Sequence, residues 1–180
     1  DDLLEGLSPE EQQEGAYVTI QVTAIPNTVL TGESDNAEGF DFNEVEIAYK
    51  RLIVSEATTP NQNPTIDSFL VDDDAIAPST IAVIPPGETV SLEAVFSDDS
   101  YESYEYTNSD GDTELRDEEP YITWYTTGGE MLSPYSVHPY TKTAWVAPET
   151  ADTSGFLWAV VRDRRGGMTW HAQPWTTAIE

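Results

Sequence analysis

Three arginines, Arg162, Arg164 and Arg165, stand close to His171 in the segment FLWAVVRDRRGGMTWH. A cluster of cations beside a histidine can bind anions or take part in acid–base chemistry. These arginines are three of only seven basic residues in a chain with 34 acidic residues and a formal net charge of −27. The cluster is therefore either a site or only two strands and the turn between them.

The pattern around the arginines favours the structural interpretation. Residues 156–161 are apolar at every position, as in a central strand covered on both faces. Gly166 and Gly167 permit the positive φ that a tight hairpin requires, and Asp163 can accept hydrogen bonds from the turn backbone. Arg164 and Arg165 then form an exposed positive tip, which is predicted to dock an acidic partner or a neighbouring copy of the chain.

The segment NSDGDTE is the candidate metal site. It places oxygen ligands at every second position, Asn108, Asp110, Asp112 and Glu114, which suits calcium. An EF-hand loop has glycine at its sixth position, whereas Gly111 is fourth here. Alternating acidic residues around an Asp-Gly turn are also expected in a solvent-exposed turn that binds no metal. Calcium is thus the candidate cofactor, and a solvated turn is the alternative.

Tyrosines make a second candidate site. Tyr101, Tyr104 and Tyr106, together with Tyr135 and Tyr140, can form an exposed platform for sugar stacking or protein recognition. The alternative is that they cover a sheet edge and pack the surrounding segment down. Three tryptophans are instead expected in the core: Trp124, Trp145 and Trp158.

Other chemistry finds no support in the sequence. The chain has no cysteine, which excludes disulfides, thiolate zinc sites and cysteine nucleophiles. His138 and His171 cannot make a metal site alone, and His171 is predicted to point to solvent. No Gly-x-Ser-x-Gly motif occurs, and nothing singles out one carboxylate pair for glycoside hydrolysis. We therefore do not expect an enzyme.

The acidic excess limits the partners. Phosphate backbones and anionic membrane surfaces would be repelled, so we expect neither nucleic acid nor a lipid surface as partner. No run of eighteen apolar residues exists, so no transmembrane helix is expected. The charge fits a solvated exported protein, adaptation to high salt or calcium binding, in that order. Because the chain begins with Asp1, we expect a processed piece of a longer protein.

The first third of the chain predicts few elements. Residues 1–15 form a short helical or disordered lead, in which Ser8 and Pro9 suggest a helix start and Gly15 a stop. Residues 16–58 hold two strands, the second with a bulge near Lys50 that would explain its slipped alternation. Two strands cannot bury both faces alone, so we expect a partial immunoglobulin-like or accessory domain. Either the strands pack on the second domain, or the rest of their domain lies upstream, or another chain completes the sheet by self-association.

The rest of the chain repeats strand and turn signals at short intervals, which is typical of an antiparallel β-sandwich. Residues 59–63 are predicted to be a linker, and 64–180 a sandwich with an acidic insertion at 97–120. In the stretch PPGETVSLEAVF, Pro-Pro-Gly makes the turn before an alternating strand. The predicted fold class is therefore all-β.

This second part resembles the immunoglobulin-like domains of bacterial surface proteins, near the polycystic-kidney-disease (PKD) type. The matching pieces are NPTIDSF, PPGETVSLEAVFSD, ITWYTTGG and TAWVAPETADTSGFLWAVVRDRRGG. Trp124, Trp145 and Asp163 fall on positions of that pattern. The chain departs from it in having WYTTGG where PKD domains carry Trp-Asp-Phe-Gly-Asp-Gly, and in the long insertion.

The resemblance implies a fold rather than a reaction, because such domains are mostly spacers and adhesive modules. We expect a non-enzymatic structural or binding module of a bacterial cell-surface or secreted protein, located outside the cell, on its surface or in the periplasm. A carbohydrate-binding or adhesive domain using the tyrosine-rich insertion, with or without calcium, is the first alternative. An accessory domain of a larger secreted enzyme is the second. The expected partner is a protein or polysaccharide surface.

Overall fold

The computed structural model describes residues 3–25, 45–107 and 110–178. The chain divides into two compact units, Asp1–Pro60 and Asn61–Glu180. The division falls within the segment that the sequence suggests as a linker. Among the described residues, no helix has the length and hydropathy needed to cross a bilayer.

The first unit begins with a capped helix, α1 (Pro9–Glu14). The Ser8 hydroxyl accepts the backbone N–H of Glu11 at 3.2 Å, and the Glu11 carboxylate accepts that of Ser8 at 2.8 Å. This reciprocal pair is a capping box, and it lowers the pKa of Glu11, chiefly through the backbone hydrogen bond from Ser8. Gly15 ends the helix with φ 91°, so the helix starts and stops where its capping residues predict.

The strands of the first unit, among its described residues, form a hairpin of β1 (Ala16–Ala24) and β2 (Glu46–Val54). The two strands pair without a register shift from Ala16 opposite Val54 to Ala24 opposite Glu46. The predicted bulge near Lys50 is therefore wrong. Most positions on both faces of this hairpin are exposed, so no buried face requires an unbroken apolar alternation.

The regular elements of the second unit, in its described part, are strands and one short 3₁₀ turn at Asp98–Ser100. The strands are β3 (Ile66–Val71), β4 (Asp74–Ile76), β5 (Ala82–Ile84), β6 (Thr89–Phe96), β7 (Ser103–Thr107), β8 (Thr113–Asp117), β9 (Tyr121–Thr126), β10 (Glu130–Met131), β11 (Tyr135–Val137), β12 (Lys142–Val146), β13 (Ser154–Arg162) and β14 (Met168–Thr177).

Ten of these strands form two five-stranded sheets. The first sheet has the order β10-β12-β6-β3-β4 and the second the order β11-β9-β13-β14-β5. Every pairing in them is antiparallel except β14 with β5. The predicted all-β class with antiparallel sheets is confirmed.

One hydrophobic core joins the inward faces of the two sheets. Strand β6 alternates as predicted, with its even-numbered positions from Val90 to Phe96 buried, and Gly87 in the preceding turn has φ 73°. The largest buried side chains come from both sheets: Trp145, Phe69 and Leu92 from the first, and Trp124, Trp175, Ile122 and Leu157 from the second. Their alternation with outward residues fixes the outer surface of each sheet.

The insertion at 97–120 contains the 3₁₀ turn and a separate hairpin of β7 and β8. Its start is tied to the core: the buried Ser100 hydroxyl accepts the Thr65 N–H at 2.8 Å and donates to the Thr65 carbonyl at 3.1 Å. Tyr101 packs against the same core beside Phe96. The insertion is therefore anchored at its base, and its hairpin continues from there.

Candidate binding face

The outer side of the second sheet carries most of the exposed aromatic rings of this unit. We call it the aromatic face and define it by Tyr121, Tyr125, Tyr135, Phe156, Trp158 and Trp170. Trp170 and Tyr135 are the most exposed of the six, at 63% and 62%. An exposed aromatic surface of this kind is a candidate binding surface.

Strand alternation places these rings on one side. In β13, Leu157, Ala159 and Val161 are buried in the core, so Phe156 and Trp158 point outward. The sequence-based expectation that β13 is covered on both faces, with Trp158 in the core, is wrong. Tertiary packing covers only one face of this strand.

The strand register sets the spacing of the rings. Trp158 pairs with Tyr125, while Val160 pairs with Trp170 on one side and with Thr123 on the other. Tyr135 pairs with Thr123 in turn. Tyr135 and Trp170 therefore share a row across the sheet, three strands and about 14 Å apart at roughly 4.8 Å per strand. Phe156 and Trp158 stack along β13, with ring centroids 5.6 Å apart.

The aromatic face is free of acidic residues. The five strands of the second sheet contain no Asp or Glu, in a chain that has 34. The first sheet differs, since Glu93 and Glu130 lie on its strands and Lys142 pairs with Glu93 at 3.4 Å. Among the residues of the five strands of the second sheet, Arg162 is the one charged side chain.

Two arginines lie near Tyr121, at the start of β9. Arg162 is the cross-strand partner of Tyr121 and donates to the Thr123 hydroxyl at 3.1 Å. Arg164 is exposed, and its guanidinium lies 5.8 Å from the Tyr121 ring centroid. Together with Val137, the residues Tyr121, Tyr135 and Arg164 line a shallow groove of about 440 Å³.

Arg165 behaves differently from its neighbour. It is half-buried and forms ion pairs with Glu118 at 2.8 Å and with Glu102 at 3.3 Å. Its guanidinium also lies 4.3 Å from the Tyr104 ring centroid. Burial raises the pKa of Glu118, and the hydrogen bond from Arg165 opposes that rise. The two arginines expected to form one exposed tip are thus separated: Arg165 ties the insertion to the β13–β14 turn.

Asp163 holds the same turn, as its sequence context predicts. This buried carboxylate accepts the backbone N–H groups of Arg165 and Gly167. The segment before β3 adds two bonds: Asn61 donates to Asp163 at 2.7 Å, and Asn63 accepts the Met168 N–H at 3.0 Å. Residues 61–63 are therefore fastened to the last hairpin.

The three tyrosines proposed for the insertion do not share one platform. Tyr101 is half-buried beside His138, and burial together with nearby Asp98 raises its pKa. Tyr104 and Tyr106 lie on one side of β7, each under an arginine: Arg165 over Tyr104 and Arg116 over Tyr106 at 3.6 Å. Those two rings are already occupied by cations of the chain itself.

The candidate calcium ligands fall partly outside the described residues, since Asn108 is not among them. Asp110, Asp112 and Glu114 are exposed, and Glu114 pairs with Arg116 at 3.0 Å. In the part of the chain that the structure describes, no group of three or more His, Asp or Glu side chains is arranged to hold a metal ion. The calcium site stays a prediction from sequence.

His171 does not point to solvent as expected. Its ring stacks on the buried Phe69, with centroids 4.7 Å apart, and one ring nitrogen lies 3.2 Å from the Gln173 side-chain oxygen. The buried positions of β14 are Gln173, Trp175 and Thr177, so His171 shares their side and Trp170 takes the outer one. The sequence showed that successive side chains of β14 point to opposite sides of the sheet, but not which side faces the core.

No family model matches the chain, and no curated protein matches it. A solved structure, described as a nucleoside hydrolase-related hypothetical protein from Saccharophagus degradans associated with carbohydrate metabolism, is similar with a TM-score of 0.40 and 16% identity. The match covers 71% of this chain and 28% of that chain.

Proposed function

We propose that this chain is a non-enzymatic binding module, of immunoglobulin-like PKD type, from a bacterial cell-surface or secreted protein, and that it binds glycan chains on the aromatic face. The observation that carries the proposal is the group of aromatic rings on the outer side of a sheet whose strands contain no carboxylate. In a chain of net charge −27, an acid-free surface is a local exception that solubility does not explain.

Glycan chains suit this surface for two reasons. The apolar C–H faces of sugar rings stack on aromatic rings, and tyrosine and tryptophan keep a polar group for hydrogen bonds to hydroxyls. The face also offers two exposed rings about 14 Å apart at the ends of one row, Tyr135 and Trp170, and the stacked pair Phe156 and Trp158 on β13. An extended oligosaccharide can therefore contact several rings at once.

Affinity electrophoresis through gels that contain soluble polysaccharides tests the proposal. The panel includes neutral chains (xylan, glucomannan, mixed-linkage glucan) and acidic ones (polygalacturonate, alginate). We expect at least one polysaccharide to retard the wild type, and Trp170→Ala and Tyr135→Ala to raise the apparent Kd about tenfold. Both side chains are exposed, so their removal leaves the core intact.

Tyr106→Ala is the matched control, because it removes an exposed aromatic ring from the insertion rather than from the aromatic face. Retardation lost with Tyr106→Ala and kept with Trp170→Ala would move the site to the insertion. If no polysaccharide in the panel retards the wild type, the glycan proposal is overturned and a spacer role is favoured.

A further inference from the structure

Two arginines at the end of the aromatic face differ from the other described cations of the second unit. Within the described part of that unit, ion pairs involve Arg116, Lys142 and Arg165. None of these pairs involves Arg162 or Arg164. With 34 acidic and seven basic residues in the chain, a shortage of carboxylates does not explain this.

The two adjacent arginines in the turn after β13 contact different parts of the chain. Arg165 reaches Glu118 and Glu102, whereas Arg164 lies towards the Tyr121 ring. Arg164 has φ 71°, a left-handed conformation that non-glycine residues adopt infrequently. The turn thus leaves one exposed guanidinium beside the groove.

The groove between Tyr121, Tyr135, Val137 and Arg164 combines the two features that a charged sugar needs. The groove is shallow and open to solvent, with a volume of about 440 Å³. Tyrosine rings can stack on the sugar, and a planar guanidinium binds a carboxylate through two parallel hydrogen bonds. Arg162, across from Tyr121, adds a second positive charge nearby.

We propose that this groove is a subsite for a carboxylate-bearing sugar, a uronic acid unit, within the glycan bound on the aromatic face, with Arg164 binding the carboxylate. The proposal rests on the proposed function. The net charge of −27 repels long polyanions, but at 0.15 M salt charges further away than about 8 Å are largely screened. A short segment with one or a few acidic units therefore fits this surface better than a long polyanion does.

The test uses short uronic acid oligosaccharides and their methyl esters, which differ in the carboxylate charge. The probes are tri-galacturonate, tri-mannuronate and tri-guluronate, each with its ester, titrated calorimetrically at 0.15 M salt. We expect the wild type to bind at least one acid about tenfold more tightly than its ester, a difference typical of one charged hydrogen-bonding group.

The variants then locate the effect. Arg164→Gln is expected to weaken binding of the acid about tenfold and to leave the ester unchanged. Arg164→Lys keeps the charge without the paired donors and is expected to fall between the two. Arg116→Gln, a surface arginine over Tyr106 in the insertion, is the matched control and should change neither ligand.

The outcomes separate the two proposals. If acid and ester bind the wild type equally, or Arg164→Gln leaves the preference intact, the uronic acid subsite is overturned while the glycan face stands. If neutral polysaccharides bind in a Trp170-dependent manner and no acid does, the subsite is again overturned. If the protein binds neither these oligosaccharides nor any polysaccharide of the panel, both the uronic acid subsite and the proposed glycan-binding function are overturned.

Discussion

The Asp163 carboxylate accepts the backbone N–H of Gly167 at 2.9 Å across the turn between β13 and β14. The same oxygen accepts the Arg165 N–H at 2.7 Å, and the other oxygen accepts a hydrogen bond from Asn61. Asp163 is 1% exposed, so these three donors replace the water that a carboxylate loses on burial. The turn that presents Arg164 is therefore held by one buried side chain.

The pair formed by Asn61 and Asp163 is expected to be energetically coupled. Asp163→Ala leaves two backbone N–H groups without their acceptor and should lower the free energy of unfolding by about 3 kcal/mol. Asn61→Ala should cost about 1–2 kcal/mol, since the carboxylate keeps its other donors. All five tryptophans lie in residues 61–180, so tryptophan fluorescence in urea reports on this unit. Strictly additive losses in the double variant would contradict the coupling.

Gly167 is expected to resist substitution for lack of space. A Cβ at this position would overlap the Asp163 carboxylate, so Gly167→Ala must displace the side chain that holds the turn. We expect a loss of about 2–3 kcal/mol in the free energy of unfolding, measured by the same fluorescence titration. Gly111→Ala is the control, because Gly111 has φ 85° but open space around it. Gly167 itself does not have a positive φ, so a Gly167→Ala variant as stable as the wild type would contradict the overlap with Asp163.

Glu118 is expected to make stability depend on pH. Burial raises the pKa of its carboxyl in the folded chain, so the folded state holds this proton more tightly than the unfolded state does. The resulting contribution to stability is present at low pH and is lost as pH rises through the folded pKa. Since a glutamine side chain cannot ionise, the stability of Glu118→Gln relative to the wild type should increase as the pH rises above the ordinary glutamate pKa of 4.5.

This pH dependence is measured as the difference between two urea midpoints, one for the wild type and one for Glu118→Gln, in matched buffers. Glu118→Gln also removes the ion pair with Arg165, which changes the size of the midpoint difference at neutral pH. The prediction therefore concerns the direction in which the midpoint difference changes with pH. A difference that stays constant, or that moves in favour of the wild type as pH rises, would refute the assignment.

Ser136 is expected to stabilise the core through the Trp124 indole. Its hydroxyl accepts the indole N–H at 2.8 Å and donates to the Lys142 carbonyl at 3.0 Å. Ser136→Ala leaves a buried indole N–H without a partner, which should cost about 1–3 kcal/mol. Thermal melting followed by circular dichroism measures the loss. Ser133→Ala removes an exposed hydroxyl bonded to the Tyr135 carbonyl and should change the midpoint little; an equal fall in both variants would count against the indole's role.

Local signals in the sequence determined much of the chain path. Ser8 and Gly15 predicted the limits of α1, Pro-Pro-Gly predicted the turn before β6, and the Gly-Gly pair with Asp163 predicted the last hairpin. Capping, turn formation and side-chain alternation act between residues near each other in the chain. The same signals supported the all-β class, because no segment showed a sustained helical period.

The tertiary structure alone decided which side of each strand is buried. An alternating strand has two possible inward faces, and the neighbouring sheet selects between them; this selection placed His171 beside Phe69 and turned Trp158 and Trp170 outward. The separation of Arg164 from Arg165 arose in the same way, because Glu118 and Glu102 are distant in the chain and adjacent only in the fold. The aromatic face gathers residues from several strands. The sequence shows that these residues are aromatic, but only the packing of the sheets places them on one outer surface.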